Sequence, residues 1–355
     1  MRVIGVDPGT KSFDIIGLEN GKIKLDLSFP SEVVAEEPSK IVKAIEDFNA
    51  ELIIGPSGYG VPLKHIKELT EKDRFEMTLV REEEMKEIPV LIGLQKMVSE
   101  MAEKDMNVWF IPGVIHLPTI PEWRKYNKID MGTADKMAIT VLGIYDQAKR
   151  LGIEYNKVSF VLLEAGFGYN YAGAVKDGKI VDGVGGTIFP GPAYVNSGAL
   201  DEEVAYLIGK LKKWHLFWGG ASIIAAEKIL PPEEFAKRLD EESFAKAWEA
   251  MKDGFIKAVA SELAVVGDAK EIIISGRLMR IKELRKDVKD LFEDHFDLPV
   301  VKQRGLEGKA KEAAQGSAII GDGLAGGEFK ELVEYVEIKK SYGSVLDYVK
   351  LPLNV

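Results

Sequence analysis

The chain is 355 residues long, 46% apolar and 29% charged, with a formal net charge of -10. That composition suits two globular domains of ordinary size and argues against a nucleic-acid or anionic-membrane partner. There is no cysteine, and the four histidines, His65, His116, His215 and His295, share no ligand spacing, so disulfides, thiolate nucleophiles and a Cys- or His-built zinc site are not expected. No apolar stretch approaches the roughly 18 residues that a membrane helix needs, and "MRVIGVDPG" reads as a strand rather than a signal peptide, so a cytoplasmic protein is expected.

In chain order, residues 2–6 form a short β-branched run, and "FDIIGLENGKIKLDLSF" continues as two strands around Asn20-Gly21, a strong short hairpin signal. "SKIVKAIEDFNA" has helical spacing, and "ELIIG" reads as a buried parallel strand ending at "GPSGYG". Proline-rich "IPGVIHLPTIPEWRK" interrupts the pattern. "TADKMAITVLGIYDQAKRLG" then begins with a threonine cap and ends in Lys, Arg and Gly, as a helix should.

"KVSFVLLEAGFGYNYAGAVKDGKIVDG" again reads as strand, glycine turn and hairpin. A loop, "DGVGGTIFPGPAYVNSG", follows, then amphipathic helices from Asp201 to about Ala264 and a strand-turn-helix, "EIIISGRLMRIKEL". Last comes "KAKEAAQGSAIIGDGLAGG", a small-residue helix able to pack closely against the first domain.

Setting Asp7 against Glu164 aligns the two hairpin segments without a gap: Gly9 falls on Gly166 and Gly21-Lys22-Ile23 on Gly178-Lys179-Ile180. The coincidence of acid, glycine and hairpin tip predicts a duplicated β-hairpin domain. The expected boundaries are 1–150 plus 310–355 for one domain and 151–309 for the other. A phosphate chain needs backbone N-H groups at close range, which glycine permits. It also needs a divalent cation, and magnesium favours a few carboxylates with retained waters. Two strand-end turns, each with one acid, supply both.

On these residues a resemblance becomes specific. "GVDPGT" resembles the first phosphate loop, "LLEAGFGYN" the second and "IIISGRL" the adenosine loop of the superfamily of acetate kinases, sugar kinases, chaperone ATPases and actin. "AAQGSAIIGDGLAGG" resembles its second connecting helix. More narrowly, "LLEAGFGYNYAGAVKDGKIVDG" with "GVGGTIFPGPAYVNSGALD" looks like the butyrate and acetate kinase branch, and the whole chain is similar to an archaeal family labelled predicted butyrate kinase. The resemblance implies an α/β fold of two ribonuclease-H-like domains with a nucleotide cleft between them, binding ATP and magnesium. It implies that Asp7 and Glu164 position the metal, that Gly9, Thr10, Lys11, Gly166, Gly168 and Tyr169 contact phosphates, and that Ser275, Gly276 and Arg277 line the nucleoside.

Carboxylate kinases of this branch resemble one another in a histidine at the second phosphate loop and two arginines. Here the histidine position reads Glu164, "GPSGYG" contains no arginine, and the second arginine position reads Asn196. Glu307 matches the acid of the second connecting region. In compensation, Arg124 and Lys125 offer cations to the γ-phosphate, and Asp135 in "GTADK" is similar in placement to the "GADR" aspartate of type III pantothenate kinases, which is thought to act as a base. A hydroxyl acceptor needs such a base and an ionised carboxylate does not, so the expected acceptor is a small molecule with an alcohol or other neutral group. Ser57, His116, Asn196 and Glu307 are its candidate contacts.

Each of these residues has a structural alternative. Asp135 also reads as a first-turn acid on the helix dipole, Arg124 as a solvated arginine, His116 as a core histidine, and "WHLFWGG" as core or subunit interface, a homodimer being one candidate assembly. The leading function is an ATP- and Mg-dependent small-molecule kinase. A nucleotide-gated binding protein or slow ATPase, and a non-catalytic relative, are the alternatives.

Overall fold

A computed structural model describes residues 1–86 and 88–353. It divides into two compact units, one made of Met1–Lys157, Gly178–Ile180 and Arg304–Val355, the other of Val158–Asp177 and Val181–Gln303. In the first unit β1 (Arg2–Pro8), β2 (Ser12–Glu19), β3 (Lys22–Pro30), β4 (Leu52–Ile54), β5 (Lys64–His65) and β6 (Val108–Phe110) form one sheet in the order β3-β2-β1-β4-β6-β5. β1 runs antiparallel to β2 and parallel to β4, which runs parallel to β6. The parallel strands are covered on both faces and read as unbroken apolar runs rather than alternating ones. Ile4, Val6, Ile15, Ile53 and Phe110 join Ile41, Ile45 and Met97 from the flanking helices in one core.

The helix Glu312–Leu324 lies directly on β1. A Cβ added to Gly5 would stand 2.5 Å from the carbonyl carbon of Ser317 and 2.7 Å from the Ala314 carbonyl oxygen. On its other side, Gly316 approaches the backbone of Ala138 in the helix Ala134–Leu151 closely enough that a Cβ would overlap the Ala138 carbonyl. The small residues of "AAQGSAIIGDG" thus let a helix sit against a strand and a second helix at backbone contact, where larger side chains would hold the three apart.

The second unit repeats this plan with β7 (Phe160–Ala165), β8 (Asn170–Lys176), β9 (Lys179–Val184), β10 (Ile272–Ser275) and β11 (Val300–Lys302), ordered β11-β10-β7-β8-β9. The helix Glu242–Val266 packs on β7 and β8, and its Trp248, Met251 and Phe255 join Leu163, Phe189 and Ile274 in a second core. Read from the hairpin inward, both sheets run third strand, second, first, then two parallel strands, and the first sheet alone adds an antiparallel strand, β5, at its far edge.

The likeness extends to register. Asp7 pairs with Asp14 and Glu164 with Tyr171, so the residue offset that carries Asp7 to Glu164 also carries each strand partner to its counterpart. The tips follow: Asn20 and Gly21 have φ of 49° and 70°, and Asp177 and Gly178 have 48° and 70°. Positive φ at both central residues is the demand of the tight hairpin turn that Asn-Gly and Asp-Gly satisfy.

Two expectations are corrected. Thr133 stands at the cap position of the helix Ala134–Leu151 but makes no side-chain cap to the backbone; its hydroxyl donates instead to the Asp135 carboxylate. Between Asp201 and Ala264 the first helix, Glu202–Ile208, buries no residue and leaves Tyr206 and Leu207 both 79% exposed. It is held by an Asp201 side-chain cap to the Glu203 amide at 2.8 Å rather than by an apolar face. Among the described residues, no helix is long and apolar enough to cross a membrane.

Candidate functional site

In the first unit β1 delivers Asp7 to the strand end, 3% exposed, and Pro8-Gly9-Thr10-Lys11 turn the chain into β2 with Thr10 and Lys11 exposed. The Ser31 hydroxyl ties the turn down by donating to the carbonyls of Gly9 and Thr10, both at 3.1 Å. Antiparallel pairing places Asp14, 2% exposed, directly opposite Asp7. Like charges so placed repel across a strand pair, and a cation from the far end of the chain answers them. The Lys311 ammonium lies 3.1 Å from Asp7 Oδ2 and 3.2 Å from Asp14 Oδ2, and donates to the Ser12 carbonyl at 3.2 Å. Burial still pushes the Asp7 carboxyl up from its ordinary range, against the pull of Lys311.

Asp135 belongs to the same charge cluster and acts on Asp7 electrostatically. It is the second residue of its helix, with Lys136 Nζ 2.9 Å from Oδ2. Burial opposes its charge, but the Lys136 ammonium and the Thr133 hydroxyl together hold its pKa below the usual carboxylate value. Asp135 is therefore ionised at neutral pH. Lys136 is part of this cluster, with its side chain only 15% exposed.

Lys311 and Asp14 are the site residues that the sequence did not announce. Lys311 lies 304 residues from Asp7, and one lysine before a helix carries no mark of where its amine will go. Asp14 was visible only through strand pairing, since an acid seven residues after Asp7 meets it once the hairpin register is known.

In the second unit Glu164 is the penultimate residue of β7, 8% exposed. A Cβ on Gly166 would overlap the Tyr169 carbonyl and stand 3.2 Å and 3.3 Å from the Glu164 carboxylate oxygens, so the turn closes over the acid only because that position is glycine. β10 runs parallel to β7 and brings Ser275 beside Glu164. The Ser275 hydroxyl is buried and has no hydrogen-bond partner among the described residues. Gly276, at φ 98°, passes so near Ala165 that a Cβ would be 2.5 Å from its carbonyl oxygen. Arg277 follows, half-buried. Tyr169 is half-buried and meets Phe217 edge-on at 5.6 Å, and Gly168 is buried, its carbonyl accepting the Asn196 amide at 3.1 Å.

Each of the four candidate acceptor contacts has its own surroundings. The Asn196 side chain donates to the Leu216 carbonyl at 2.5 Å and accepts the Gly198 amide at 2.7 Å, bracing the loop behind the second turn. The Ser57 hydroxyl donates to the Gly55 carbonyl and accepts the Ile111 amide, both at 3.0 Å, and so joins the segments after β4 and β6. His116 is 1% exposed, and burial pushes its pKa down to about 4, so it is neutral at pH 7. Glu307 is exposed, with φ 62°.

Arg124 is half-buried on the short helix Glu122–Lys125. Lys125 departs from its expected role: it is wholly buried, its ammonium 4.9 Å and 5.0 Å from the ring centres of Tyr342 and Tyr348 and 3.3 Å from the Leu117 carbonyl. Desolvation lowers its pKa to about 8. It is a core lysine held by aromatic faces, not a cation offered to a phosphate.

Among the described residues no three His, Asp or Glu side chains assemble into a metal cage. The residues that could hold an ion are Asp7, beside Asp14, at the first turn and Glu164 at the second, few carboxylates of the kind that suit an ion keeping its waters, as magnesium does.

Three solved structures share the architecture. A propionate kinase from Francisella tularensis superposes with a TM-score of 0.62 at 12% identity, covering 89% of this chain and 98% of that one. An acetate kinase from Porphyromonas gingivalis gives 0.58 at 13%, covering 89% and 98%. An acetate kinase from Entamoeba histolytica gives 0.58 at 11%, covering 83% and 87%. At such identities the likeness speaks for the fold, the two-sheet α/β plan of the actin-like ATPases. No curated protein sequence matches the chain. The family described as a protein of unknown function (DUF1464) matches residues 5–351, and the chain belongs to it.

Proposed function

We propose that the protein is a cytoplasmic, ATP- and Mg-dependent phosphotransferase whose acceptor presents a hydroxyl or another neutral nucleophile. The observation that carries this reading is the repetition of an acid-glycine turn at the same register in two sheets that share the order of five strands, Asp7-Gly9 and Glu164-Gly166. One such turn is common in proteins; two in matched frames are what a polyphosphate with its cation requires. Gly9, Thr10 and Lys11 on one turn, and Gly166, Gly168 and Tyr169 on the other, contact the phosphates. Ser275, Gly276 and Arg277 contact the nucleoside.

Asp7 and Glu164 would hold the magnesium ion, which when bound supplies neutralising charge to the phosphates. Asp135 accepts the proton of the acceptor hydroxyl as its oxygen bonds to the γ-phosphorus and the bond to the β-γ bridging oxygen breaks, leaving ADP. Arg124 is a candidate partner for the transferring group. Carboxylate acceptors fit poorly. Three missing charge-stabilising groups, at about 3 kcal/mol each, would forfeit roughly 9 kcal/mol of transition-state stabilisation if additive.

The test is ATP consumption against a panel of short carboxylic acids and small alcohols, with Asp135→Asn beside the wild type. Turnover on alcohols that collapses in Asp135→Asn supports the reading. Turnover only on carboxylates, or an unaffected variant, defeats it.

The exposed apolar run of Val204, Tyr206, Leu207, Trp214, Trp218 and Ile224 favours a second reading, a nucleotide-gated binding protein that docks a partner or a second copy of itself there. Hydrolysis stimulated by a partner protein rather than by a small acceptor would select it.

A further inference from the structure

We infer that Lys311 is the ammonium that meets the terminal phosphates of the nucleotide at the first turn, and that Asp14 is its holder. The inference rests on the nucleotide reading above and adds to it a ligand from a distant part of the chain.

Four observations converge on it. The Lys311 ammonium lies immediately beneath the turn, because a Cβ on Gly9 would fall almost upon it, with the Ser12 carbonyl oxygen the next atom at 3.0 Å. Its side chain is 19% exposed while the carboxylates it touches are 5% and 4% exposed, so the lysine has more access to solvent than the acids that hold it. Its backbone is anchored, since it stands at the cap position of the helix Glu312–Leu324, which Gly5 and Gly316 fix against β1 and a neighbouring helix. Finally, a cation at a helix N-terminus opposes the helix dipole, so helix stability is not what selects a lysine there.

Asp14 makes sense on the same terms. Its counterpart in the second hairpin is Tyr171, so the hairpin does not need an acid at this position. What Asp14 adds is a second carboxylate that keeps the ammonium beneath the turn when a cation draws Asp7 away. Counting Asp7, Asp14 and Asp135 against Lys11, Lys136 and Lys311, the cluster is neutral, and loss of Lys311 would leave it one net negative before any cation binds.

The experiment is calorimetric titration of ATP, ADP and AMP with magnesium into the wild type, Lys311→Met, Lys311→Arg and the charge-balanced double variant Lys311→Met/Asp14→Asn. The wild-type arm tests the nucleotide reading by itself: no binding of ATP overturns that reading and this inference with it. If the wild type binds, Lys311→Met loses about ten- to a hundredfold in affinity for ATP and ADP, as befits one charge-assisted contact, and stays within about twofold for AMP. Lys311→Arg retains most of the affinity. The double variant, which removes one of the two buried acids along with their shared cation and so relieves the repulsion between them, binds ATP as poorly as Lys311→Met. Recovery of wild-type affinity in the double variant would show that Lys311 only neutralises Asp14. An equal loss for AMP would show a general structural effect. Either result, or no loss at all, overturns the inference.

Discussion

Gly9→Ala tests the charge cluster through sterics alone. Gly9 has no positive φ, so alanine meets no backbone penalty there, and the nearest obstacle to its Cβ is the flexible end of Lys311 rather than main chain. The substitution therefore evicts the ammonium from Asp7 and Asp14 and leaves two nearly buried carboxylates facing each other. Stripping a buried ion pair of one partner costs roughly 3–5 kcal/mol. With the Lys311 side chain 19% exposed, about 2–4 kcal/mol is expected after solvent screening. Urea unfolding of Gly9→Ala, Lys311→Ala and the double variant, followed by tryptophan fluorescence, measures it. Once Lys311 is truncated the methyl group meets only the Ser12 carbonyl oxygen at 3.0 Å, so Gly9→Ala should cost clearly less in that background than in the wild type, by at least about 1 kcal/mol. Additive losses in the double variant, or a Gly9→Ala change below about 0.5 kcal/mol in the wild type, would refute the arrangement.

Gly5→Ala should be more harmful than Gly9→Ala, because its Cβ meets the backbone of the helix Glu312–Leu324 and only separation of helix from strand can relieve the contact; a loss of about 3 kcal/mol or more in urea unfolding is expected. Asp135→Asn should keep the wild-type melting temperature within a few degrees and lower turnover about a hundredfold or more, measured as acceptor-dependent ADP release. His116 gives a pH prediction. Its folded-state pKa is depressed from 6.5 to about 4, so the unfolded chain binds more protons between those values. Stability from this group is full above pH 6.5 and lost as pH falls toward 4, by about 3 kcal/mol. Unfolding free energies of wild type and His116→Phe at pH 7, 5.5 and 4.5 check this, and parallel slopes would contradict it.

The duplicated hairpin was legible in the sequence because its determinants are local. An acid at a strand end, a glycine two residues later and an Asn-Gly or Asp-Gly tip each fix their own backbone, and equal spacing between them fixes the register. The close seat of the small-residue helix was legible too, since "AAQGSAIIGDG" has little else to offer. What escaped the sequence is what depends on the far side of a fold. Lys311 finds Asp7 only after more than three hundred residues have folded, and the burial of Lys125 depends on Tyr342 and Tyr348 near the other end of the chain. Asn196 and Ser57 illustrate a second limit. A polar side chain in a loop reads alike whatever it bonds, and the sequence does not show that both of these bond neighbouring backbone. Thr133 shows a third, since a threonine at a cap position is free to bond a neighbouring carboxylate instead.

The central claim, that the paired acid-glycine turns bind ATP with magnesium, is tested most directly by a thermal unfolding titration with Mg-ATP. Stabilisation of about 2.7 kcal/mol at a hundredfold excess of nucleotide over its Kd is expected for the wild type, with a much smaller gain for Asp7→Asn at the same concentration. An unchanged unfolding transition at millimolar Mg-ATP would contradict the account.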